Sequence, residues 1–540
     1  MIRLSNLFVP LDEEAPLAEI AARRLRLPAA AVRSVRVVRQ AIDARRHRGA
    51  PLGFVYVLDV KTADESGTLF RWRRDHHVAA APPPLPSVWE TAAAFRGGGP
   101  RPVIAGFGPA GMFAALLLAR AGLSPLVLER GQRLEERQAA VDAFWRGGPL
   151  DERANVQFGE GGAGTFSDGK LTTRISDPRM ADVLETFIAA GAPEEIRWLH
   201  KPHIGTDLLR DVVRHIRQEV IRAGGEIRFM AQVTDILRAP GGAVEALIVN
   251  GGERVPASAV FLGIGHSARD TYEMLYRQGV AMEPKAFAAG VRIEHPQTMI
   301  DRAQYGADAG HPLLPPADYA LTYKDDAGGR GAYSFCMCPG DQVVAAASEE
   351  GRLVTNGMSR HARNSGTANA ALLVPVTPAD YGESVLGGIA FQRRYEALAF
   401  AAGGGDWRAP VETVGDFLAG RPGSRDFLVP PSYQPGIRPA DLAACLPDFL
   451  AQTLVRALPA FGRRIRGFDD PGAPLTGVEM RSSAPCRILR NRESHESLSV
   501  PGLYPMGEGA GYAGGIMSAA VDGLNTGLAF LRKIGHTIQE

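Results

Sequence analysis

The chain has 540 residues, of which 45% are hydrophobic and 22% are charged. The composition is typical of a globular protein and excludes a wholly disordered chain, while the length corresponds to roughly two to four domains. Because 60 basic residues stand against 59 acidic ones, for a formal charge of +1, a protein that coats a polyanion is not expected either.

The first 78 residues predict a small α+β domain. Apolar spacing indicates strands at residues 2–9, 32–38 and 54–60 and a helix at residues 15–27. The segment holds 14 basic and nine acidic residues, a net charge of +5, which is either a solvated basic face or a contact surface for an anionic partner. Residues 79–99 are rich in proline and glycine and predict a linker.

A dinucleotide-binding motif follows the linker. Residues 103–105 form a short apolar strand, residues 106–111 read G-F-G-P-A-G, and an apolar helix begins after them. In this motif the first glycine permits the turn, the second lets the backbone approach a pyrophosphate, and the third lets helix and strand pack closely. The helix N-terminus offers N–H groups to the phosphates, and an acid at the end of the next strand, Glu129, can accept hydrogen bonds from a ribose. The predicted cofactor residues of this region are Gly106, Gly108, Pro109, Ala110, Gly111, Glu129 and Arg130.

Two later regions indicate which dinucleotide is bound. A helix from residue 208, a strand over residues 226–237, a hairpin and a strand ending in Gly-x-Gly at Gly265 follow one another, an order that resembles that of the two-dinucleotide-fold flavoproteins and implies FAD. Near the C-terminus a strand ends at Gly507-Glu508, and a helix runs from Ile516 to about residue 532. Glu508 could bind a ribitol chain, and the helix N-terminus could stabilise negative charge at the flavin N1–C2=O edge. Further cofactor contacts are predicted at Gly162, Lys170, Val233, Gly265, Gly507, Glu508, Gly514, Gly515 and Ile516.

Seven motifs carry a wider resemblance. They lie at residues 40–45 (QAIDAR), 54–60 (FVYVLDV), 155–175 (NVQFGEGGAGTFSDGKLTTRI), 288–297 (AAGVRIEHPQ), 333–340 (YSFCMCPG), 355–363 (TNGMSRHAR) and 504–523 (YPMGEGAGYAGGIMSAAVDG). Over nearly its whole length the chain resembles the bacterial FAD-dependent dehydrogenases of the glutathione-reductase-like fold that have an additional N-terminal α+β domain. The resemblance implies bound FAD and a redox function, and it does not specify a substrate.

Three residues are candidates for catalysis. Lys170 follows a glycine-rich loop and could contact the flavin or an anionic substrate; a solvated lysine is the alternative. Arg292 could bind a substrate carboxylate and His295 could exchange a proton, the alternatives being a structural salt bridge and a histidine at a turn.

The four cysteines exclude a disulfide-rich scaffold. They lack the spacing of a zinc ribbon or of a C-x-x-C pair, so no metal site is predicted. Cys336 and Cys338 form a C-x-C pair, whose thiols lie too far apart for a disulfide if the strand is extended. We therefore expect these two thiols to serve in packing, with a redox role as the alternative.

The predicted fold is α/β. A discontinuous, three-layer Rossmann-like FAD domain spans residues 100–280 and 480–540, an inserted α+β substrate domain spans residues 281–479, and the N-terminal domain is ferredoxin-like. The N-terminus does not read as a signal peptide. The longest apolar run, residues 112–119, is far shorter than the ~18 residues that a membrane span requires. We therefore expect a cytoplasmic protein without a membrane partner.

The predicted function is that of an FAD-dependent oxidoreductase. FAD is expected to be bound non-covalently and to transfer a hydride through N5 to or from a small molecule. A single dinucleotide motif leaves NAD(P)H as a transient electron donor at most. Two alternatives stay open: an NAD(P)H-dependent flavin monooxygenase, and a flavin-dependent RNA-modifying or RNA-associated protein that uses the basic N-terminal domain. The near-neutral total charge argues against a nucleic-acid partner, and the oligomeric state is not predicted.

Overall fold

The computed structural model describes residues 1–45, 51–96, 98–326 and 329–535. The N-terminal domain is an antiparallel sheet of strand order β2-β3-β1-β4 with one helix after β1 and one after β3. This βαββαβ arrangement is ferredoxin-like, as predicted. Ile20, Ala21 and Leu25 on one face of its first helix are buried against Leu58 and Val60 of the sheet. The elements are β1 (Ile2–Pro10), α1 (Leu17–Leu25), β2 (Val32–Asp43), β3 (Gly53–Thr62), α2 (Glu65–Arg71) and β4 (Val78–Ala80).

The segment expected as a linker contains a helix, α3 (Val88–Ala94). Ser87 caps it by accepting a hydrogen bond from the Trp89 N–H, and the Ser87 hydroxyl donates to Asp182 at 2.6 Å. Val88 and Ala92 are buried in the core of the following domain. The helix forms because a capping serine precedes apolar residues at helical spacing, a pattern that the surrounding prolines and glycines obscured.

The next part of the chain builds the parallel-sheet domain. Strands β5, β6, β7 and β11 belong to a parallel sheet, and β8 to β10 form a separate antiparallel sheet. The strand expected over residues 226–237 is divided between these two sheets, because the chain turns at Met230, which has a left-handed φ of 55°. The elements are β5 (Val103–Ala105), α4 (Pro109–Arg120), β6 (Leu126–Leu128), α5 (Leu134–Trp145), α6 (Met180–Ala189), α7 (Thr206–Arg222), β7 (Glu226–Arg228), β8 (Val233–Arg238), β9 (Val244–Val249), β10 (Glu253–Pro256), β11 (Val260–Leu262) and α8 (Arg269–Arg277).

The inserted domain is built on a seven-stranded mixed sheet of order β14-β15-β18-β13-β21-β19-β20. Its central strand, β13, pairs with β18 on one side and β21 on the other, so nine of its ten residues are buried. The elements are β12 (Met282–Pro284), β13 (Phe287–Pro296), α9 (Gln297–Tyr305), β14 (Thr322–Lys324), β15 (Gly331–Cys338), β16 (Val343–Ala345), β17 (Thr355–Gly357), β18 (Thr367–Val376), α10 (Pro378–Tyr381), α11 (Gly387–Gly403), β19 (Ala409–Thr413), α12 (Val414–Ala419), β20 (Ile437–Pro439), α13 (Asp448–Gly462) and β21 (Pro474–Glu479).

The C-terminal segment returns to the parallel-sheet domain through β22 (Cys486–Ile488), β23 (Leu503–Pro505) and α14 (Ile516–Lys533). Strand β23 pairs with β11 and completes the parallel order β23-β11-β5-β6-β7. Helix α14 packs closely on α4, because a Cβ at Gly523 would lie 2.2 Å from the Ala110 carbonyl oxygen. The first residues of the two helices also lie near each other, because a Cβ at Gly164 would lie 3.0 Å from Ile516 Cγ1 and 4.0 Å from Pro109 Cγ. No helix in the described ranges is both long and apolar enough to cross a membrane.

Candidate functional site

The turn between β5 and α4 is closed by glycines. A Cβ at Gly106, where φ is 98°, would lie 2.4 Å from the Gly263 carbonyl oxygen, and one at Gly111 would lie 2.0 Å from the Gly106 carbonyl oxygen. Neither position accommodates a side chain without movement of the backbone. Gly108 is the N-cap of α4, and no described side chain caps the helix there. The first N–H groups of α4 are therefore left for a ligand.

Glu129 connects this turn to two other loop segments of the site through hydrogen bonds. Its Oε2 accepts a hydrogen bond from the Phe107 N–H at 2.7 Å, and its Oε1 accepts from the N–H groups of Gly131 at 2.9 Å and Gly159 at 3.0 Å. The side chain is buried at the end of β6. The carboxylate thus holds three loop segments together.

A cavity of about 360 Å³ opens beside this turn, between the parallel-sheet domain and the inserted domain. The inserted domain contributes Phe335, Cys336, Asn356 and Glu479 to its wall. Gly111 lies behind the wall, in contact with the Gly106 carbonyl. The other predicted cofactor residues all line the cavity: Gly106, Gly108, Pro109, Ala110, Glu129, Arg130, Gly162, Lys170, Val233, Gly265, Gly507, Glu508, Gly514, Gly515 and Ile516.

The cavity suits a long ligand with an anionic centre and a polar ring. At Gly265, Gly514 and Gly515 a Cβ would meet no described atom within 4 Å, so the backbone itself faces the cavity. Gly515 is also the N-cap of α14, and among the described residues no side chain caps that helix. Two helix N-termini with free N–H groups thus point at one cavity, and the partial positive charge of each favours an anion or an electron-rich ring edge. These residues fit FAD.

Arg130 adds a cation at the edge of the cavity. Its guanidinium lies 4.0 Å from the centre of the Phe158 ring and forms an ion pair with Asp270. Its buried Nε has no hydrogen-bond partner among the described residues. The ring and the carboxylate hold the group in place at the edge of the cavity.

Glu508 is an acid that the cavity keeps partly protonated. Burial raises the pKa of Glu508 to about 7. At neutral pH its carboxyl group can therefore donate a hydrogen bond as well as accept one. A hydroxyl of a ribitol chain is a suitable partner for both.

Lys170 lies on the cavity wall where the glycine-rich segment meets the inserted domain. Its ammonium donates to the Met337 carbonyl and lies 3.7 Å from Asp168, which Arg363 binds at 2.6 Å. Burial opposes the charged form, but the neighbouring Cys338, Cys336 and Asp168 outweigh it and raise the pKa of Lys170. Lys170 is therefore a fixed cation that contacts both domains.

The other two catalytic candidates lie behind the wall. Among the described residues that line the cavity, neither Arg292 nor His295 is present. Arg292 is fully buried and binds Glu479 through two hydrogen bonds, one of them 3.0 Å long. His295 Nε2 is 2.8 Å from the Phe468 carbonyl oxygen, and burial lowers the pKa of His295 to about 4. The structure thus corrects both roles: β13 is covered on its two faces, so its side chains cannot reach a ligand in the cavity.

Several wall residues were missed as site residues in the sequence. Arg292 donates to Asn356 Oδ1 at 3.0 Å and to the Cys336 carbonyl at 3.1 Å, so it positions two residues that do line the cavity. For Asn356 the sequence did give a signal, the motif TNGMSRHAR, which reads as a loop that could bind a phosphate or carboxylate or cap a helix. The sequence around Glu479 does not indicate a place in the site, because its ion-pair partner, Arg292, lies 187 residues away in the chain. No group of three or more His, Cys, Asp or Glu within the described ranges is placed to hold a metal ion.

Comparisons with known proteins agree with an FAD site. Residues 286–482 match a family described as FAD-dependent protein, C-terminal domain-like, and residues 1–61 match a domain of unknown function, DUF8436. An uncharacterised protein of Clostridium beijerinckii is 47% identical over 534 residues, which cover 98% of this chain and 99% of the relative.

Two solved structures were also matched. A variant of the halogenase PltM in complex with FAD has a TM-score of 0.37 and 10% identity, covering 80% of this chain and 69% of its own. A geranylgeranyl bacteriochlorophyll reductase-like protein from Thermoplasma acidophilum has a TM-score of 0.35 and 14% identity, covering 81% of this chain and 79% of its own.

Proposed function

Since the chain belongs to one family with its uncharacterised Clostridium beijerinckii relative, and its residues 286–482 match an FAD-dependent protein family, we propose that it is an oxidoreductase that moves a hydride between a small-molecule substrate and N5 of its bound FAD. Bound FAD supplies the capacity to accept or donate the hydride. The chain supplies binding, orientation and a boundary against water.

The observation that carries this proposal is the shared cavity. One side of it consists of two helix N-termini and glycine backbone, and the other side consists of side chains from the inserted domain. The N–H groups of α4 would bind the pyrophosphate, Glu129 the adenosine ribose, and Glu508 the ribitol. The N-terminus of α14 would stabilise negative charge on the reduced ring.

The substrate would approach from the inserted domain. Phe335 is 40% exposed and lines the cavity with Asn356 and Lys170, so this wall offers an apolar surface, an amide and a cation. Lys170 would bind an anionic or carbonyl oxygen of the substrate. A substrate carbon must come within roughly 3–3.5 Å of the reacting flavin atom for transfer to occur.

The test begins with the cofactor and continues with its reduction. The purified protein should be yellow, and acid precipitation should release FAD and not FMN, because the glycine turn recognises the adenylate half. Anaerobic addition of NADH, NADPH or chemical donors, followed by a screen of metabolites for reoxidation, identifies donor and acceptor. The proposal is wrong if the FAD-loaded protein neither accepts electrons from an organic donor nor passes them to any acceptor.

A matched pair of lysine variants locates the substrate wall. Lys170→Met should keep FAD and lose most substrate-dependent turnover, whereas Lys201→Met, at an exposed lysine paired with Asp318, should behave like the parent. Oxygen uptake coupled to NAD(P)H oxidation would instead indicate a flavin monooxygenase. Salt-dependent binding of RNA by the intact protein would favour the RNA-associated alternative.

A further inference from the structure

Strand β15 contains a bulge at the C-x-C sequence. Its pairing with β18 is regular from Tyr333 to Phe335, and Cys338 then lies opposite Asn369, which leaves one extra residue on β15. Such a bulge bends a strand and changes where its side chains point. Cys336 has a left-handed φ of 42°. The extended geometry expected from the sequence is therefore wrong at this point of the strand.

The bend lets the two cysteines interact directly. Cys338 Sγ donates to the Cys336 carbonyl oxygen at 3.3 Å, so the two residues are in direct contact at the bend. Cys336 is half-buried and lines the cavity, whereas Cys338 is fully buried behind it. A reagent or ligand in the cavity thus meets Cys336 first.

The charges around the pair distinguish it from the other cysteines. The adjacent Cys338 side chain, together with the cations Lys170 and Arg292, outweighs burial and holds the pKa of Cys336 well below its usual range. In contrast, burial raises the pKa of Cys445 and of Cys486 to about 12. A thiolate next to a thiol, with a cation fixed beside them, is the arrangement that thiol–disulfide chemistry requires.

We propose that Cys336 and Cys338 form a dithiol–disulfide couple that exchanges two electrons with the FAD of this cavity. When the S–S bond forms, the Cys336 thiolate and the Cys338 thiol each lose one electron, both electrons pass to oxidised FAD, and the Cys338 proton is taken up with them. In the reverse direction reduced FAD returns the electron pair, the S–S bond breaks, and the proton goes back to the Cys338 sulfur. The inference rests on the flavin lying in this cavity, as in the proposed function.

The electron capacity of the loaded protein tests the proposal. The FAD-bound chain is oxidised with diamide, freed of reagent and titrated anaerobically with dithionite while the flavin absorbance is followed. The parent should take up four electrons per FAD, and Cys336→Ser and Cys338→Ser should take up two. Cys445→Ser is the matched control, because Cys445 is a buried cysteine outside the cavity wall, and it should take up four.

A thiol count on the same samples gives a second readout that does not depend on the flavin. After diamide and denaturation, 4,4′-dithiodipyridine should find two fewer thiols in the parent and in Cys445→Ser, and no loss in the two site variants. Cys336→Ala and Cys338→Ala, with FAD content as the measure of folding, replace any serine variant that does not fold.

The outcomes separate the two proposals. Uptake of two electrons by the parent, with all four thiols still present, overturns the couple and leaves the flavin assignment intact. A disulfide that forms while the electron uptake stays at two overturns the exchange with FAD. Loss of flavin reduction altogether, with the disulfide still formed by diamide, contradicts both the exchange and the proposed function.

Discussion

Glu129→Gln is the sharpest test of the adenosine end of the site. Both carboxylate oxygens accept hydrogen bonds from buried backbone N–H groups, one on Oε2 and two on Oε1. Glutamine keeps the size of the side chain but presents an oxygen on one side only. Whichever way the amide lies, its NH₂ group faces at least one N–H donor.

The smallest expected cost is therefore one hydrogen bond to a charged acceptor, about 1.5–3 kcal/mol. Part of the cost falls on FAD binding, because the same three N–H groups shape the turn beside the pyrophosphate and because the carboxylate is the predicted ribose acceptor. We expect the Kd for FAD to rise roughly tenfold to a hundredfold, at about 1.4 kcal/mol per factor of ten. Glu129→Ala, which leaves all three donors without this acceptor, should bind FAD more weakly still.

The assay is a fluorescence titration of the FAD-free protein with FAD and, separately, with FMN. FMN lacks the adenosine, so the variant should change its affinity far less than that for FAD. Glu136→Gln, at an exposed carboxylate on α5, controls for the change of charge. If Glu129→Gln binds FAD within twofold of the parent, Glu129 is a structural residue only and the assigned orientation of the cofactor is wrong.

Two further predictions concern the glycine turn and the buried acid. Gly111→Ala would place a Cβ 2.0 Å from the Gly106 carbonyl oxygen, so the purified variant should contain little FAD. Gly252→Ala is the control and should retain FAD, because its Cβ would meet no described atom within 4 Å. Equal FAD content in the two variants would contradict the close packing at Gly111. Burial raises the pKa of Glu508 from 4.5 to about 7, so the stability that this group contributes is fully present below about pH 4.5 and is lost as the pH rises through about 7. Urea unfolding of the FAD-free protein should therefore show a smaller loss of stability between these pH values for Glu508→Gln than for the parent, and equal losses would show that Glu508 does not titrate as argued.

The parallel-sheet domain was predictable because its signals are local. The strand, the glycine turn and the helix of the dinucleotide motif lie within about 20 residues. Gly106 and Gly111 are positions where the neighbouring backbone leaves no room for a Cβ. The N-terminal domain was predictable for the same reason, since alternation and helical spacing show its strands and first helix directly. Fifteen of the 16 cofactor residues predicted from these segments line the cavity, although they make up less than half of its wall.

The inserted domain was less predictable because its important contacts join distant segments. Arg292 looked like a substrate ligand in the sequence, and only the pairing of β13 between β18 and β21 shows that it is enclosed. The backbone conformation at Cys336 was not predicted either. A single extra residue in β15 bends the strand at these cysteines, so that Cys338 Sγ lies 3.3 Å from the Cys336 carbonyl oxygen, and no spacing rule predicts such a bulge.

Charged side chains as well as apolar ones form the contact between the parallel-sheet domain and the inserted domain. Glu396 on α11 is fully buried between Arg269 of α8, at 2.6 Å, and Arg481 just after β21, at 2.9 Å. Burial alone would raise the pKa of Glu396, but the two guanidinium groups outweigh it and hold that pKa well below its usual range.

Such a network adds little net stability relative to apolar residues, yet removal of one member leaves an uncompensated buried charge and costs about 3–5 kcal/mol. Its effect is therefore mainly on geometry, because charges of fixed direction tolerate few alternative arrangements. Arg481 lines the cavity two residues after Glu479, the partner of Arg292, and Arg292 in turn binds Asn356 and the Cys336 carbonyl. The Arg269–Glu396–Arg481 network and the Arg292–Glu479 pair are thus joined through the backbone of residues 479–481, and the second of them holds Asn356 and the Cys336 carbonyl at the cavity wall.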